Sequence, residues 1–219
     1  SLLIENVTFS QLKNALIVKE LYDQICLEKA SFSECTNLEN EADKDAIFVI
    51  SIFESQSTVK VNLTDVKFER NSYSQSAQFD SGGGGIGFVI SPHDSTTSTI
   101  VTVEFNSCTF VSNHASNSGG AVHFTSSSNN NDNSLSFESV SFNYCDFKQN
   151  KAAVDTGALR ITPSKCSSIT VTNCFFTSNE ANGNIGALFI EGQGSEQQEV
   201  RIFNCEFLSN RCNGSVAAL

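Results

Sequence analysis

The hydrophobic positions of this chain recur in short stretches where apolar and polar residues alternate. An apolar period of two is typical of a β-strand, and the alternation changes phase just before a central cysteine in each stretch. Each stretch therefore predicts two short strands joined by a corner, at 103–113, 140–150, 169–179 and 200–210. A third strand is predicted where small residues lead back into apolar alternation, at 119–124, 157–161 and 186–190.

The whole chain aligns on these three strands when looser spacing is allowed. Such repeats bury their apolar faces against their neighbours, and crossovers between parallel strands are nearly always right-handed. We therefore predict one domain over 1–219, an all-β, right-handed, single-stranded parallel β-helix with three short strands in each of about seven coils. The equivalent phenylalanines of the seven repeats are Phe9, Phe32, Phe68, Phe110, Phe147, Phe176 and Phe207.

Two columns of like residues are expected in this architecture, because equivalent residues of neighbouring coils lie about 4.8 Å apart. One is a structural aromatic stack of Phe68, Phe110, Phe147, Phe176 and Phe207. The other is a structural asparagine ladder at a corner, where side-chain amides satisfy backbone groups that the bend frees from sheet pairing. Its members are Asn71, Asn113, Asn150, Asn179 and Asn210.

The longer repeats carry their extra residues at two corners, after the second and third strands. Rigid strands with variable loops at fixed corners are how solenoids usually present recognition surfaces. We therefore expect a protein or glycan receptor to bind the corner loops, which are predicted at 34–45, 71–85, 91–99 and 125–134.

The motifs FxxN and GGA[ILV] together resemble the repeat of the chlamydial-type polymorphic outer-membrane proteins. FxxN occurs as FERN, FVSN, FKQN, FTSN and FLSN, and GGAV at 119–122 is one full match to the second motif. The resemblance covers residues 59–219, and the first two repeats depart from it with Leu12 and Cys35 where asparagine is expected. It implies a cell-surface or secreted parallel β-helix that serves in adhesion or assembly.

Four of the eight cysteines fall in one inward column, and the spacing leaves two interpretations open. Neighbours in such a column have a Cα separation that a disulfide accepts, but stacked reduced thiols also pack well as small apolar residues. Cys26 with Cys35, and Cys205 with Cys212, are alternative local pairs. The candidate disulfide residues are Cys26, Cys35, Cys108, Cys145, Cys174, Cys205 and Cys212. The spacing is not that of a zinc site, so no metal and no cofactor is predicted.

The net charge and the glycosylation triplets bear on the partners and the compartment. The formal net charge is −11, which would repel phosphate backbones and anionic lipids, so we expect no nucleic acid partner and no membrane insertion. Asparagine triplets for glycosylation begin at Asn6, Asn62 and Asn213. Together with the cysteines, they favour an extracellular or cell-surface protein.

An enzyme is the alternative prediction, because this fold class also hosts polysaccharide lyases and hydrolases. Those reactions need carboxylates that converge on one glycosidic bond. The outward columns place Asp146 and Glu206 two coils apart with Phe175 between them, and we predict no catalytic residue from this arrangement. The prediction is a non-enzymatic structural or adhesive protein, with a carbohydrate-active β-helix enzyme as the alternative.

The last expectation concerns assembly. SVAAL at 215–219 aligns with NIGAL at 184–188, and SLLIENVTF at 1–9 supplies the strands that would follow. The chain is therefore predicted to be a segment of a longer solenoid or one protomer of a filament that stacks end to end.

Overall fold

The structure is a computed structural model that describes residues 1–12, 16–19, 24–36, 48–51, 58–73, 86–90, 99–126, 135–163, 165–191 and 198–214. These residues form 25 β-strands and no helix. The strands are β1 Leu2–Glu5, β2 Thr8–Ser10, β3 Leu16–Lys19, β4 Gln24–Glu28, β5 Ser31–Ser33, β6 Phe48–Ser51, β7 Thr58–Thr64, β8 Lys67–Glu69, β9 Ser72–Tyr73, β10 Ile86–Ile90, β11 Thr99–Asn106, β12 Thr109–Val111, β13 His114–Ala115, β14 Val122–Ser126, β15 Leu135–Asn143, β16 Asp146–Lys148, β17 Lys151–Ala152, β18 Leu159–Thr162, β19 Cys166–Thr172, β20 Phe175–Thr177, β21 Glu180–Ala181, β22 Leu188–Ile190, β23 Glu199–Phe203, β24 Glu206–Leu208 and β25 Arg211–Cys212.

The strands pair in parallel, which confirms the prediction of an all-β chain with parallel sheets. Sheet 1 has the order β1-β4-β7-β11-β15-β19-β23, and sheet 2 has the order β2-β5-β8-β12-β16-β20-β24. Sheet 3 has the order β25-β21-β17-β13-β9, sheet 4 has the order β10-β14-β18-β22, and β3 pairs with β6. From β7 onward, the chain passes through sheets 1, 2, 3 and 4 in turn and then returns to sheet 1.

Sheet 3 is a feature that the sequence did not predict. Its strands are only two residues long and follow each asparagine of the FxxN motif. Two residues are too few for an apolar alternation to be visible, so the pattern showed three strands per repeat where the complete repeats have four.

The corners between sheets 1 and 2, and between sheets 2 and 3, are formed by residues in the left-handed α conformation. The first corner has φ of 50–56° at Asn6, Lys29, Asp65, Ser107, Tyr144, Asn173 and Asn204. The second has φ of 51–56° at Gln11, Glu34, Arg70, Ser112, Gln149, Ser178 and Ser209. This conformation costs a non-glycine residue about 1–2 kcal/mol. It persists because the ladder of backbone hydrogen bonds continues through the bend; the Ser107 N–H, for example, donates to the Asn143 carbonyl at 2.9 Å.

The core is a column-by-column stack of apolar side chains. Six successive phenylalanine pairs, from Phe9–Phe32 to Phe176–Phe207, have ring centroids 4.7–5.2 Å apart and interplanar angles of 2–9°. A second stack pairs Phe105 with Phe142 at 4.3 Å. In-register pairing of the strands sets the spacing of the rings. The strand pairing and the ring stacking therefore both indicate that the repeats are stacked in register.

The glycines of the Gly-Ala segments at 120–121 and 157–158 are required by close backbone approach. A Cβ on Gly120 would lie 2.1 Å from the Gly157 carbonyl oxygen, and a Cβ on Gly157 would lie 2.1 Å from the Gly186 carbonyl oxygen. The repeats therefore contact each other through main chain at this point, where only glycine fits. The predicted corner loops and the 215–219 segment lie largely or wholly outside the described residues.

Candidate functional site

The asparagines of the FxxN motifs lie in one buried column between sheets 2 and 3, and Asn150 shows the geometry. Its N–H and its Nδ2 both donate to Oδ1 of Asn179 at 3.0 Å, and Nδ2 also donates to the Phe110 carbonyl at 2.9 Å. Its own Oδ1 accepts the N–H and Nδ2 of Asn113, each at 3.0 Å. Every side-chain polar atom of Asn150 is thus used within the column, which makes the ladder a structural element rather than a ligand site.

Cys35 occupies the ladder position in the second repeat. Its N–H donates to Oδ1 of Asn71 at 2.9 Å, as an asparagine there would. Its thiol points at the Phe9 carbonyl at 3.6 Å, where the ladder amides donate to the equivalent carbonyls at 2.8–3.0 Å. The thiol is a weaker hydrogen-bond donor than the amide of asparagine. Its sulfur is also a weak acceptor, so it offers the preceding repeat no equivalent of an asparagine Oδ1.

The central cysteines also share one inward column. Each thiol donates to a carbonyl of the preceding repeat: Cys108 to Leu63 at 3.4 Å, Cys145 to Phe105 at 3.6 Å, Cys174 to Phe142 at 3.4 Å and Cys205 to Val171 at 3.3 Å. Burial raises the pKa of Cys145 well above its usual value, and burial raises that of Cys166 to about 11. The thiols of Cys145 and Cys166 are therefore protonated and poorly nucleophilic near neutral pH.

All eight cysteines are free, which corresponds to the reduced one of the two alternatives that the sequence left open. In-register residues of parallel strands point the same way, so their Cβ atoms stay near the strand spacing of about 4.8 Å, beyond the mean of about 3.8 Å in a disulfide. The local pairs fail for a different reason. Cys26 lies on β4 between Leu3 and Asn62, whereas Cys35 lies in the ladder column. Cys205 precedes β24, and Cys212 pairs with Ala181 in sheet 3.

The three glycosylation triplets lie on the surface to different degrees. Asn6 is exposed at the first corner, and Asn213 is exposed just after β25. Asn62 is partly exposed on β7, where it pairs with Cys26 on one side and Glu104 on the other. All three side chains are thus presented toward solvent rather than toward the core.

Sheet 4 carries a row of polar and aromatic side chains on neighbouring strands. His123 is 2% exposed, and burial together with the neighbouring Arg160 guanidinium lowers its pKa to about 3. Arg160 lies 4.8 Å above the Phe189 ring and 3.5 Å from Asp155, whose other carboxylate oxygen accepts the Asn184 N–H at 2.8 Å. The imidazole is neutral near pH 7 and is held in a buried environment.

Two buried side-chain atoms of the described residues have no hydrogen-bond partner, namely Oγ1 of Thr156 and Nε of Arg160. Thr156 adopts a φ of 57° at the place where the preceding repeat has Gly119 with a φ of 68°. A β-branched residue is strained in this conformation. Thr156 is therefore a weak point of the fold.

Charged side chains on the outer surface pair with one another. Arg70 binds Glu34 at 3.0 Å, and Gln11 donates to the same carboxylate at 3.0 Å. The hydrogen bond from Gln11, with that from Arg70, lowers the pKa of Glu34. Lys151 binds Glu180 at 3.1 Å. Exposed pairs of this kind contribute little to stability.

Asp146, Phe175 and Glu206 form an in-register row on the outer face of sheet 2. Burial raises the pKa of Asp146, and the opposing effect of Lys148 is smaller. Phe175 is exposed, as are Tyr144 and Phe203 near the same corner. Neither Tyr144 nor Phe203 was predicted from the sequence, although each breaks the alternation with an aromatic residue at an outward position.

Three further findings concern metals, membranes and relatives. No group of three or more histidine, cysteine, aspartate or glutamate side chains in the described part of the chain is placed to hold a metal ion. The described residues include no helix that is both long and apolar enough to cross a membrane. Comparisons with protein-family models, curated proteins and solved structures find no match.

Proposed function

We propose that the repeats wind into a right-handed parallel β-helix of about seven coils, and that this rod is a non-enzymatic structural or adhesive protein of an extracellular or cell surface. The repeated passage through sheets 1 to 4 supports the winding. At about 4.8 Å per coil, the rod would be on the order of 30 Å long.

The observation that carries the proposal is that the buried polar groups form their hydrogen bonds with one another and with the backbone. The ladder amides bond to one another and to backbone carbonyls. Carboxylates on the outer surface, such as Glu34, Asp155 and Glu180, form ion pairs with neighbouring arginine or lysine side chains. A rod built in this way offers a rigid support, and a solenoid usually presents its recognition surface on the variable segments that connect its strands.

The partners follow from this architecture. A protein or glycan receptor would bind the corner loops. The rod would also extend along its axis, either into more of the same polypeptide or into another copy, because the end strand of a parallel sheet pairs readily with a further strand.

A carbohydrate-active enzyme is the second candidate, and the row Asp146–Phe175–Glu206 favours it. Carboxylates two strands apart are separated by roughly 10 Å, close to the 6.5–9.5 Å typical of inverting glycosidases. The raised pKa of Asp146 is the property that a general acid needs. Phe175 between the two could stack on a sugar ring.

Incubation with a panel of neutral and acidic polysaccharides separates the two candidates. The structural proposal predicts no new reducing ends or unsaturated products. Cleavage that is lost in Asp146→Asn and in Glu206→Gln, but kept in the matched surface variant Glu138→Gln, would replace it with the enzyme.

The proposed secretory route has a separate test. We expect glycans on Asn62 and, in addition, on Asn6 and Asn213 when the chain is made in a eukaryotic secretory pathway. Intact-mass analysis before and after amidase treatment measures this, with Asn62→Gln as the site control. An unchanged mass would mean that the triplets are incidental.

A further inference from the structure

Three rows of outward residues line the corner between sheets 1 and 2, one at the end of sheet 1, one at the corner and one at the start of sheet 2. In the first four repeats every member of these rows is polar. The members are Glu5, Glu28, Thr64 and Asn106 in the first row, Asn6, Lys29, Asp65 and Ser107 in the second, and Thr8, Ser31, Lys67 and Thr109 in the third. The fifth and sixth repeats place an aromatic residue in these rows, namely Tyr144 at the corner and Phe175 at the start of sheet 2.

The two aromatic residues are exposed and lie on neighbouring repeats. Tyr144 is 68% exposed and Phe175 is 49% exposed. The Phe175 N–H donates to the carbonyl of Cys145, the residue after Tyr144, at 2.9 Å. The Cα atoms of the two aromatic residues therefore lie within roughly 10 Å of each other. A single exposed aromatic residue is ordinary, but two together in otherwise polar rows indicate an interaction site.

Oriented polar groups flank the two rings. Nδ2 of Asn143 donates to Oδ1 of Asn106 at 3.2 Å, and Oγ1 of Thr172 donates to Oδ1 of Asn143 at 2.5 Å. Asp146 pairs in register with Phe175 and is half-buried. Because the amides and the hydroxyl are held by one another, their remaining hydrogen-bonding groups are presented in a fixed arrangement.

This combination of groups fits a sugar chain. A pyranose ring has C–H groups on its faces and hydroxyl groups around its rim. The C–H groups are attracted to the negative face of an aromatic ring, and the hydroxyls bond to amides and carboxylates. Two rings among polar residues form too small an apolar area for the core of a stable protein interface. The net charge of −11 repels phosphates and acidic sugars, so the chemistry favours an uncharged glycan.

We propose that Tyr144 and Phe175, flanked by Asn143 and Asp146, form a binding site for a neutral polysaccharide on the strands at the corner between sheets 1 and 2. The inference rests on the proposed adhesive function and names a glycan as the receptor and the strands, rather than the corner loops, as its location.

Affinity electrophoresis in native gels that contain soluble β-glucan, mannan or xylan tests the site, with polygalacturonate as the acidic comparison. We expect at least one neutral polysaccharide to retard the wild-type chain, and polygalacturonate to leave it unretarded. The double variant Tyr144→Ser/Phe175→Thr copies Ser107 and Thr109, which hold the same positions in the fourth repeat, so the fold is kept. Its apparent Kd should rise at least tenfold, because the rings supply the apolar contact.

Phe175→Tyr keeps the aromatic ring and should keep the binding. The matched control is Val154→Ala, which shortens an exposed apolar residue outside the site and should leave the affinity unchanged. The inference is overturned if no neutral polysaccharide retards the wild type, if polygalacturonate alone does so, or if the double variant binds as tightly as the wild type.

The outcomes separate the site from the proposed function. Binding that survives in the double variant places the glycan elsewhere, so the adhesive function stands and the site is wrong. Cleavage of the bound polysaccharide would overturn the non-enzymatic function, whereas weaker binding by the double variant would still support the site.

Discussion

The first two repeats and the later five form the same corner with different residues. In the later repeats, the corner between sheets 2 and 3 is followed by a ladder asparagine, whereas the first two repeats have Leu12 and Cys35. The residue before it is nevertheless left-handed in both groups, with φ of 56° at Gln11 and 54° at Glu34 against 51–55° in four of the five later repeats and 56° at Gln149. The corner conformation therefore does not depend on asparagine. It follows from in-register stacking of the strands and phenylalanines, and asparagine satisfies the polar groups that the corner buries.

The largest expected effect comes from removing one ladder amide in the middle of the column. Asn150→Ala leaves the Asn113 N–H and Nδ2 without an acceptor and the Phe110 carbonyl without its donor. We expect a loss of about 3–5 kcal/mol in the free energy of unfolding, since each buried unpaired group costs about 1–3 kcal/mol. Denaturant unfolding at constant m-value measures it.

Cys35→Ala is the matched substitution in the second repeat and should cost only about 1 kcal/mol, because the Cys35 backbone N–H keeps its bond to Asn71. Equal losses in the two variants would contradict a special role of the amide ladder.

Sheet 4 is described only in the later repeats, and its buried His123 predicts acid sensitivity there. The imidazole has a folded pKa of about 3 against 6.5 when unfolded. Stability is therefore complete above pH 6.5 and falls as the pH drops toward 3, because the unfolded chain takes up the proton first. Between pH 7 and 5, the loss should be about 2 kcal/mol.

His123→Gln removes the titrating group and should flatten the stability of the chain over the same interval, in which most carboxylates stay ionised. The quantity compared is the free energy of unfolding of the wild type and of His123→Gln as a function of pH, measured by urea titration at each pH. Parallel profiles would show that His123 does not titrate on unfolding.

Cys35→Asn tests the comparison in the opposite direction, by extending the ladder into the second repeat. The new Nδ2 would donate to the Phe9 carbonyl and to Oδ1 of Asn71, and the new Oδ1 would accept the Leu12 N–H. We expect a gain of about 1–2 kcal/mol, one or two net hydrogen bonds. Cys35→Ser, which supplies a hydroxyl too short to span the column, is the control; a gain of the same size in that variant would mean that polarity alone suffices.

The smallest expected effect concerns a single strained corner. Thr156→Gly, which copies Gly119, relieves a left-handed β-branched residue and removes a buried hydroxyl without a partner. The gain is partly offset by the greater freedom of glycine in the unfolded chain, so we expect about 1 kcal/mol of stabilisation. Thr156→Val keeps a β-branched residue in the left-handed conformation and replaces only the hydroxyl, and a thermal melt of both variants separates the two causes. Destabilisation by Thr156→Gly would contradict the conclusion that the backbone is strained at Thr156.

Much of the core could be read from the sequence because its residues repeat in identity as well as in pattern. Phe110, Phe147 and Phe176 fall at fixed offsets from a cysteine and an asparagine, so their shared column follows from the alignment alone. The sequence left disulfides and stacked free thiols as alternatives for the cysteines, because Cα spacing alone carries no information on side-chain direction. Tyr144 and Phe203 were missed because the prediction followed only the inward positions, although each of these aromatic residues interrupts the alternation at an outward position.

The sequence by itself determined which residues share a column, since identical residues at equivalent positions can stack only when the strands pair in register. It determined the parallel all-β class for the same reason. The tertiary structure alone decided how each position is used. It joined the Cys35 N–H to Oδ1 of Asn71, bent ordinary residues such as Lys29 and Arg70 into the left-handed conformation, and left the cysteines unpaired with one another. These outcomes depend on hydrogen bonds between repeats, which join residues far apart in the chain and are absent from any local pattern.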